Sequence, residues 1–178
     1  MTFAGRVPII KACSYYLYEK SGRVQNLLHA IKYQNQKELA EHVGKLYAMD
    51  LATDKSMQEV DVILPIPLHK NKLKLRGFNQ SEWFARGLAE GLKKEVNSTL
   101  LERIVDTKTQ TRKKKFQRWE NVEGIFKLGP QPLMPNPHVL LVDDVITTGA
   151  TIEAAWLALK EIPGIKLSVA SIAFAAKT

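Results

Sequence analysis

The feature that most constrains the fold is a continuous apolar run that ends in two acids and a hydroxyl-rich turn. This stretch, VLLVDDVITTGAT, occupies residues 139–151 and places Asp143 and Asp144 directly after four apolar residues. An uninterrupted apolar run is typical of a strand that is buried on both faces of a sheet. A flexible residue, Gly149, then precedes a run with helical character. The sequence therefore predicts a central strand with both aspartates at its tip, followed by a turn into a helix.

The rest of the chain alternates helical and strand patterns. Strands that alternate with helices, and that are apolar throughout, indicate an α/β fold with a mostly parallel central sheet flanked by helices. The first sixty residues are mostly helical and are predicted to form an N-terminal cap. Helices are predicted around 24–31, 39–47, 84–92 and 150–162, and the third of these has Asn79 or Ser81 as its predicted N-cap. Strands are predicted at 61–67, 100–105, 124–128, 138–144 and 166–176.

Two polar, strongly basic segments interrupt this pattern. Residues 68–80 (LHKNKLKLRGFNQ) are predicted to be a cation-rich loop, and residues 106–122 (DTKTQTRKKKFQRWENV) a long mobile loop with a helical end. At 178 residues and 45% hydrophobic content, the chain is expected to form one domain, 1–178, with a cap at 1–60 and a core at 61–178.

Several classes of protein are disfavoured by composition. No stretch reaches the ~20 apolar residues of a membrane span, and no signal peptide is evident, so we expect a cytoplasmic protein without membrane contact. A tetrahedral zinc site is not expected, because Cys13 is the single cysteine and the four histidines are scattered. The P-loop signature GxxxxGK[ST] is absent, which argues against an ATPase. The net charge of +8 favours an anionic partner.

The turn after the two acids has the chemistry of a phosphate site. Gly149 allows a tight curl, the three threonines of 147–151 offer hydroxyl donors, and a helix N-terminus follows. Carboxylates beside a phosphate are better suited to accept hydrogen bonds from sugar hydroxyls, or to hold water on Mg²⁺. The aspartates alone would also fit an exposed loop. A phospho-receiver domain is excluded by topology, because its acids follow the first strand and several further βα units come after them. The whole stretch favours a phosphorylated sugar.

The stretch resembles the phosphoribosyl pyrophosphate (PRPP) signature of type I phosphoribosyltransferases, and the chain more narrowly resembles the ComF family. The resemblance extends to LLHAIKYQNQKELA, VILPIPLHKNKLKLRGFNQSEWFARGLA and TKTQTRKKKFQRWENVEGIF, in that family's order. Many ComF relatives begin with a cysteine-rich, zinc-finger-like segment that this chain lacks, so a contact carried there is not transferred. No amidohydrolase domain accompanies Cys13, which argues against an amidotransferase.

The resemblance implies a role for each matching residue. Asp143 and Asp144 would contact the ribose hydroxyls and reach Mg²⁺ indirectly, and Arg118 would join them in catalysis. The 5′-phosphate would be bound by Thr147, Thr148, Gly149, Ala150 and Thr151. Pyrophosphate would be bound by Lys74, Arg76 and Gly77. The mobile loop would contribute Gln110, Lys113 and Asn121.

Two functions remain open from sequence. One is a Mg²⁺-dependent enzyme that transfers phosphoribose from PRPP to an unidentified nitrogen nucleophile, and no pattern names this small-molecule acceptor. The other is a non-catalytic protein that binds PRPP or a nucleotide, or that handles single-stranded DNA in competence. The alternation of cations with Phe116 and Trp119 motivates the second interpretation. Competence proteins and a second copy of the chain are further candidate partners.

Overall fold

The fold is built on a five-stranded parallel sheet. The computed structural model describes residues 5–20, 22–106, 124–130 and 133–175. The strand order is β1-β7-β6-β2-β3, and every pairing in this sheet is parallel. A separate antiparallel pair, β4 and β5, lies beside it. The strands are β1 (Ile9–Leu17), β2 (Val62–Pro65), β3 (Glu95–Val96), β4 (Leu101–Arg103), β5 (Phe126–Leu128), β6 (His138–Ile146) and β7 (Lys166–Phe174).

Helices cover both faces of the sheet, as the α/β prediction requires. One core cluster packs α1, α2 and α5 against one face, and a second packs α6 against the other. Helices α2 and α5 lie very close together, because a Cβ placed on Gly87 would lie 2.0 Å from the Glu41 carbonyl oxygen. The helices are α1 (Arg23–Tyr33), α2 (Lys37–Leu51), α3 (Lys55–Gln58), α4 (Lys70–Arg76), α5 (Gln80–Leu92) and α6 (Ala150–Leu159).

Strand β6 is central and positions the site. It lies between β7 and β2, and residues 139–142 are fully buried. Because all five strands are parallel, the carboxyl ends of β1, β2, β6 and β7 meet at one edge of the sheet. The residues that follow β2 and β6 are therefore brought together, although about eighty positions separate them in sequence.

The mostly helical character of the N-terminal region is confirmed, with one structural addition. Strand β1 comes from this region and pairs in parallel with β7, so the region completes the sheet edge as well as covering a face. The region is thus integral to the sheet. Helix α1 follows β1 and reaches the carboxyl edge.

Two local predictions were wrong. The cation-rich segment 68–80 is not a loop throughout: residues 70–76 form α4, whose first turn is capped by the His69 side chain, which accepts from Asn71 N at 3.3 Å. Lysine, leucine and arginine are good helix formers, and this propensity, with a histidine cap before it and Gly77 after it, outweighs the polarity of the segment. The acids are not at the tip of β6, since the ladder with β7 continues to Ile146.

The N-cap of α5 is Asn79, whose Oδ1 accepts from Ser81 N at 3.2 Å. Ser81 itself has another role, described below. Among the helices of the described ranges, none has both the length and the apolar character needed to cross a membrane.

Candidate functional site

The two aspartates of the motif are buried side by side near the carboxyl end of β6. Asp143 is 8% exposed and Asp144 is 6% exposed. Asp144 N donates to Asp143 Oδ1 at 2.8 Å, and Val145 N donates to Asp144 Oδ1 at 2.8 Å. These backbone hydrogen bonds fix the orientation of both carboxylates without a ligand.

The first turn of α5 supplies a second partner to each carboxylate. Ser81 Oγ donates to Asp143 Oδ1 at 3.1 Å, and Gln80 Nε2 donates to Asp144 Oδ2 at 3.3 Å. A helix N-terminus carries partial positive charge, which stabilises nearby anions. The α5 terminus therefore offsets part of the cost of burying two acids.

Lys32 of α1 forms an ion pair with Asp144 Oδ2, and the two side chains are 23% and 8% exposed. The N-terminal region thus contributes a cation directly to the motif. Since Asp144 Oδ2 accepts from both Lys32 and Gln80, this oxygen is the point at which α1 and α5 meet β6.

Burial raises the pKa of Asp143 to about 7, and the neighbouring Asp144 charge adds to this effect. The Asp144 backbone N–H, the Lys32 ammonium and the Ser81 hydroxyl act in the opposite direction. Two carboxylates in contact cannot both ionise freely in a buried site, so the pair is held in a high-energy arrangement. Such an arrangement is common where a protein binds or transforms a ligand.

Three more cations lie near these acids. Lys72 and Arg76 are one turn apart on α4, and Arg103 lies on β4. Burial lowers the pKa of Lys72, and the positive charges of Arg103, Arg76 and Lys32 lower it further, against the opposite influence of Asp106. Burial also lowers the pKa of Arg103, against the opposite influence of Asp143 and Asp106. These groups are therefore close enough to influence one another, and Arg103 is close enough to Asp143 to be influenced by its charge.

A continuous chain of contacts joins four elements across the site. Arg76 Nη1 donates to Gln80 Oε1, while Gln80 Nε2 donates to Asp144 Oδ2. The Arg76 guanidinium also lies 5.8 Å from the centre of the Tyr33 ring, next in sequence to Lys32. These contacts form a ring around the site, because Lys32 in turn forms an ion pair with Asp144. Gln80 thereby connects the acid of β6 to the arginine of α4.

The turn at 147–151, predicted to bind phosphate, contains the expected glycine turn before a helix. Gly149 has φ +80°, in the left-handed region, and directly precedes α6. Thr148 Oγ1 accepts a long hydrogen bond of 3.4 Å from Ala150 N. The first backbone N–H groups of a helix have no partners within the helix, so the start of α6 offers donors to an anion.

The structure brings together most of the residues predicted for the site. Residues 147–151 and both aspartates lie at the carboxyl edge, and Arg76 lies across from them at the end of α4. Gly77, with φ +82°, ends that helix. Lys74 is exposed, and a helical turn of α4 places Lys72, not Lys74, on the same side as Arg76. Gln110, Lys113, Arg118 and Asn121 lie outside the described residues.

Sequence reasoning missed Lys32, Lys72, Gln80, Ser81 and Arg103. The signal for Lys72 was its i, i+4 spacing from Arg76, which becomes visible once residues 70–76 are taken as a helix. Gln80 and Ser81 follow the N-cap of α5 directly, and residues in a first helical turn are natural partners of anions. Lys32 and Arg103 are brought to the site only by tertiary packing.

A cleft of about 490 Å³ opens beside the acids. Its lining comes from the end of β1, one face of α1, and the ends of β6 and β7. The lining residues are Tyr18, Gln25, Leu28, His29, Lys32, Tyr33, Asp144, Val145, Thr147 and Ala175. Because Asp144 and Thr147 also belong to the motif, the cleft is continuous with the proposed sugar and phosphate positions.

Comparison with solved structures identifies the class of fold. The chain aligns with a crystal structure of adenine phosphoribosyltransferase with a TM-score of 0.50 and 15% identity, over 83% of this chain and 74% of that one. The parallel sheet with flanking helices is therefore the phosphoribosyltransferase fold, as predicted.

Comparison with curated proteins narrows this class. No protein-family model matches the chain. It is 30% identical over 138 residues to DNA utilization protein YhgH of Escherichia coli O157:H7, over 75% of this chain and 60% of the relative. It is 27% identical over 140 residues to Competence protein F of Haemophilus influenzae, over 76% of this chain and 61% of the relative. The predicted resemblance to ComF proteins is confirmed, and the match spans about three fifths of these relatives.

Proposed function

We propose that the protein binds PRPP at the carboxyl end of β6 and transfers its phosphoribosyl group to a nitrogen nucleophile, with release of pyrophosphate. The supporting observation is that one edge of the sheet carries three binding chemistries side by side. The turn 147–151 suits a phosphate, the buried acids suit sugar hydroxyls, and the cluster of Lys72, Arg76 and Arg103 suits pyrophosphate.

The transfer has a simple balance of bonds and charge. The acceptor nitrogen forms a bond to C1 of the ribose, and the bond from C1 to the pyrophosphate oxygen breaks with its electron pair. A proton carried by the acceptor nitrogen passes to solvent. Positive charge builds on the ribose and negative charge on the leaving group, so catalysis consists of positioning and electrostatic stabilisation. Asp143 and Asp144 would orient the ribose, and the cationic cluster would stabilise pyrophosphate.

The acids also fit a water- or substrate-mediated Mg²⁺ site. Within the described ranges, no group of three His, Cys, Asp or Glu side chains could hold a metal ion by itself. Mg²⁺ typically uses one or two carboxylates together with substrate phosphates and water. Asp143 and Asp144 would therefore hold it through water or ribose hydroxyls. When bound, Mg²⁺ would neutralise charge on the pyrophosphate.

Turnover is tested by measuring pyrophosphate release from PRPP against a panel of bases and aromatic amines. Release that requires a particular acceptor supports the transferase. PRPP binding without release for any acceptor would instead leave a PRPP-binding protein. Asp50→Asn is a matched control for substitutions at the motif and should leave turnover unchanged, since Asp50 is an exposed aspartate on α2.

A second candidate function is binding of single-stranded DNA. The Trp83 ring has Lys37 Nζ 4.6 Å and Arg86 Cζ 4.8 Å from its centre. Aromatic rings interleaved with cations suit single strands, and matched relatives are named for DNA utilization and competence.

This function predicts a steep dependence of oligonucleotide affinity on salt. Trp83→Leu should weaken binding about tenfold, in line with the energy of one stacked base. Fluorescence anisotropy with a labelled oligonucleotide measures both effects. Undetectable binding at low salt would eliminate this candidate.

A further inference from the structure

The cleft beside Asp144 has a lining that suits a planar ring. Its walls include Tyr18, and the His29 and Tyr33 rings, whose centres are 5.0 Å apart at an angle of 45°. Leu28, Val145 and Ala175 make other parts of the lining apolar. Aromatic walls with a few polar groups are the usual lining of sites that bind flat, ring-shaped molecules.

The charge of the cleft is as informative as its shape. Of the described residues that line it, Asp144 is the one acid, and this acid is already paired with Lys32. Lys32 and His29 lie three positions apart on α1, so both side chains are on the face of the helix that lines the cleft. Beyond the Lys32–Asp144 pair, the lining residues are neutral polar, aromatic or apolar, so Lys32 is the cation available to an anionic group in the cleft.

Ligand binding at the acids would change the position of Lys32. In the proposed function, ribose hydroxyls donate to the Asp144 carboxylate and compete there with the Lys32 ammonium. The Lys32 side chain is 23% exposed, so a weakened pair leaves a partly buried cation inside the cleft. A partly buried charge is stabilised by an anion that binds next to it.

We propose that this cleft is the acceptor site, and that the acceptor is an aromatic amine or nitrogen heterocycle that carries a carboxylate, which Lys32 binds. The inference rests on the proposed function and names the class of its second substrate. The ring lies against Tyr33 and His29, and the nitrogen faces the ribose held by Asp144. The nitrogen forms a bond to C1 as the bond from C1 to pyrophosphate breaks. An amine nitrogen then loses a proton to solvent, whereas a pyridine-type nitrogen carries no proton and becomes cationic. The carboxylate is unchanged by the reaction.

The test uses two matched pairs of probes on the full chain saturated with PRPP and Mg²⁺. One pair is 2-aminobenzoate and aniline, and the other is pyridine-3-carboxylate and its neutral amide. Calorimetry should show the carboxylate of each pair binding about tenfold more tightly, as expected for a charge-assisted hydrogen bond. Lys32→Met should reduce this preference to about twofold or less, whereas Lys32→Arg should retain it.

Two further variants separate charge from stacking. Tyr33→Leu should weaken both members of a pair to a similar degree, because it removes ring contact and no charge. Lys160→Met, which removes an exposed lysine at the end of α6, should change neither affinity nor preference.

The outcomes distinguish this inference from the function on which it rests. If PRPP binds and the neutral probes bind as tightly as the carboxylates, or if Lys32→Met leaves the preference intact, the inference is wrong and the PRPP site stands. If PRPP itself does not bind, both the proposed function and the proposed acceptor site are wrong. Circular dichroism and PRPP affinity of Lys32→Met establish that a lost preference does not result from misfolding.

Discussion

At the scale of single residues, the site is defined by two acids that the fold holds in an unfavourable environment. Asp143 and Asp144 are both buried, and burial and mutual repulsion raise the pKa of Asp143 to about 7. Each acid nevertheless has hydrogen bonds from the backbone and from α5. Apolar or amide side chains would be more stable here, and the proposed role in ligand binding accounts for two carboxylates at these positions.

The raised pKa of Asp143 predicts how stability depends on pH. The folded state holds a proton that the unfolded state releases near the ordinary carboxyl pKa of 3.8, so the free energy of unfolding should fall as pH rises from about 4 to about 7. Ionisation of Asp143 in the folded state should lower the free energy of unfolding by up to about 4 kcal/mol over this range. Asp143→Asn should remove most of this slope, because the amide does not ionise.

Urea denaturation of both proteins between pH 4 and pH 8 measures this difference. Asp143→Asn should be the more stable protein at pH 8 and should bind PRPP more weakly. Parallel pH profiles for the two proteins would show that Asp143 is not the group responsible.

At the scale of elements, the strand–turn–helix unit of β6 and α6 presents the backbone that we propose binds the 5′-phosphate. Gly149 has φ +80°, which costs other residues about 1–2 kcal/mol, and it directs the start of α6 toward the edge of the sheet. We predict that Gly149→Ala weakens binding of ribose 5-phosphate about tenfold. Gly164→Ala, at another positive-φ glycine, controls for general loss of stability, and equal effects on affinity would contradict the assignment.

Gln80 is predicted to couple α4 to β6. Gln80 donates to Asp144 and accepts from Arg76, so removing it releases the Arg76 guanidinium from its orientation and removes one of the partners of Asp144. Arg76→Ala and Gln80→Leu should each weaken pyrophosphate binding, and the double variant should be little weaker than Arg76→Ala alone, with a coupling energy of about 1 kcal/mol. Calorimetry with pyrophosphate measures this cycle. Strictly additive effects would show that Gln80 does not act through Arg76.

At the scale of the whole molecule, the parallel sheet brings residues from distant parts of the sequence to one edge. Lys32, Arg76, Arg103 and Asp144 come from α1, α4, β4 and β6. The N-terminal region completes the sheet through β1 and then places α1 over the carboxyl edge. This arrangement means that the region predicted to be a cap also lines the cleft in which we place the acceptor.

The motif allowed the class of fold, the strand that carries the acids and the glycine turn before α6 to be predicted, because a continuous apolar run and a glycine indicate local structure directly. The same reasoning failed for α4, because its many charged residues were interpreted as a loop although they are good helix formers. It also failed for the end of β6, which depends on pairing with the long strand β7. Lys32 and Arg103 could not be predicted, because nothing in their local sequence distinguishes them from surface cations. Their role depends on burial against elements distant in the chain.

The most direct test of the central claim is calorimetric titration of the protein with PRPP, with and without Mg²⁺. We predict saturable binding that strengthens with Mg²⁺, retained by Asp50→Asn and lost in a protein that combines Asp143→Asn with Asp144→Asn. The double variant should remain folded, because amides replace acids of the same shape and relieve their repulsion. Undiminished affinity in that folded double variant, or no binding by the natural sequence, would contradict the account.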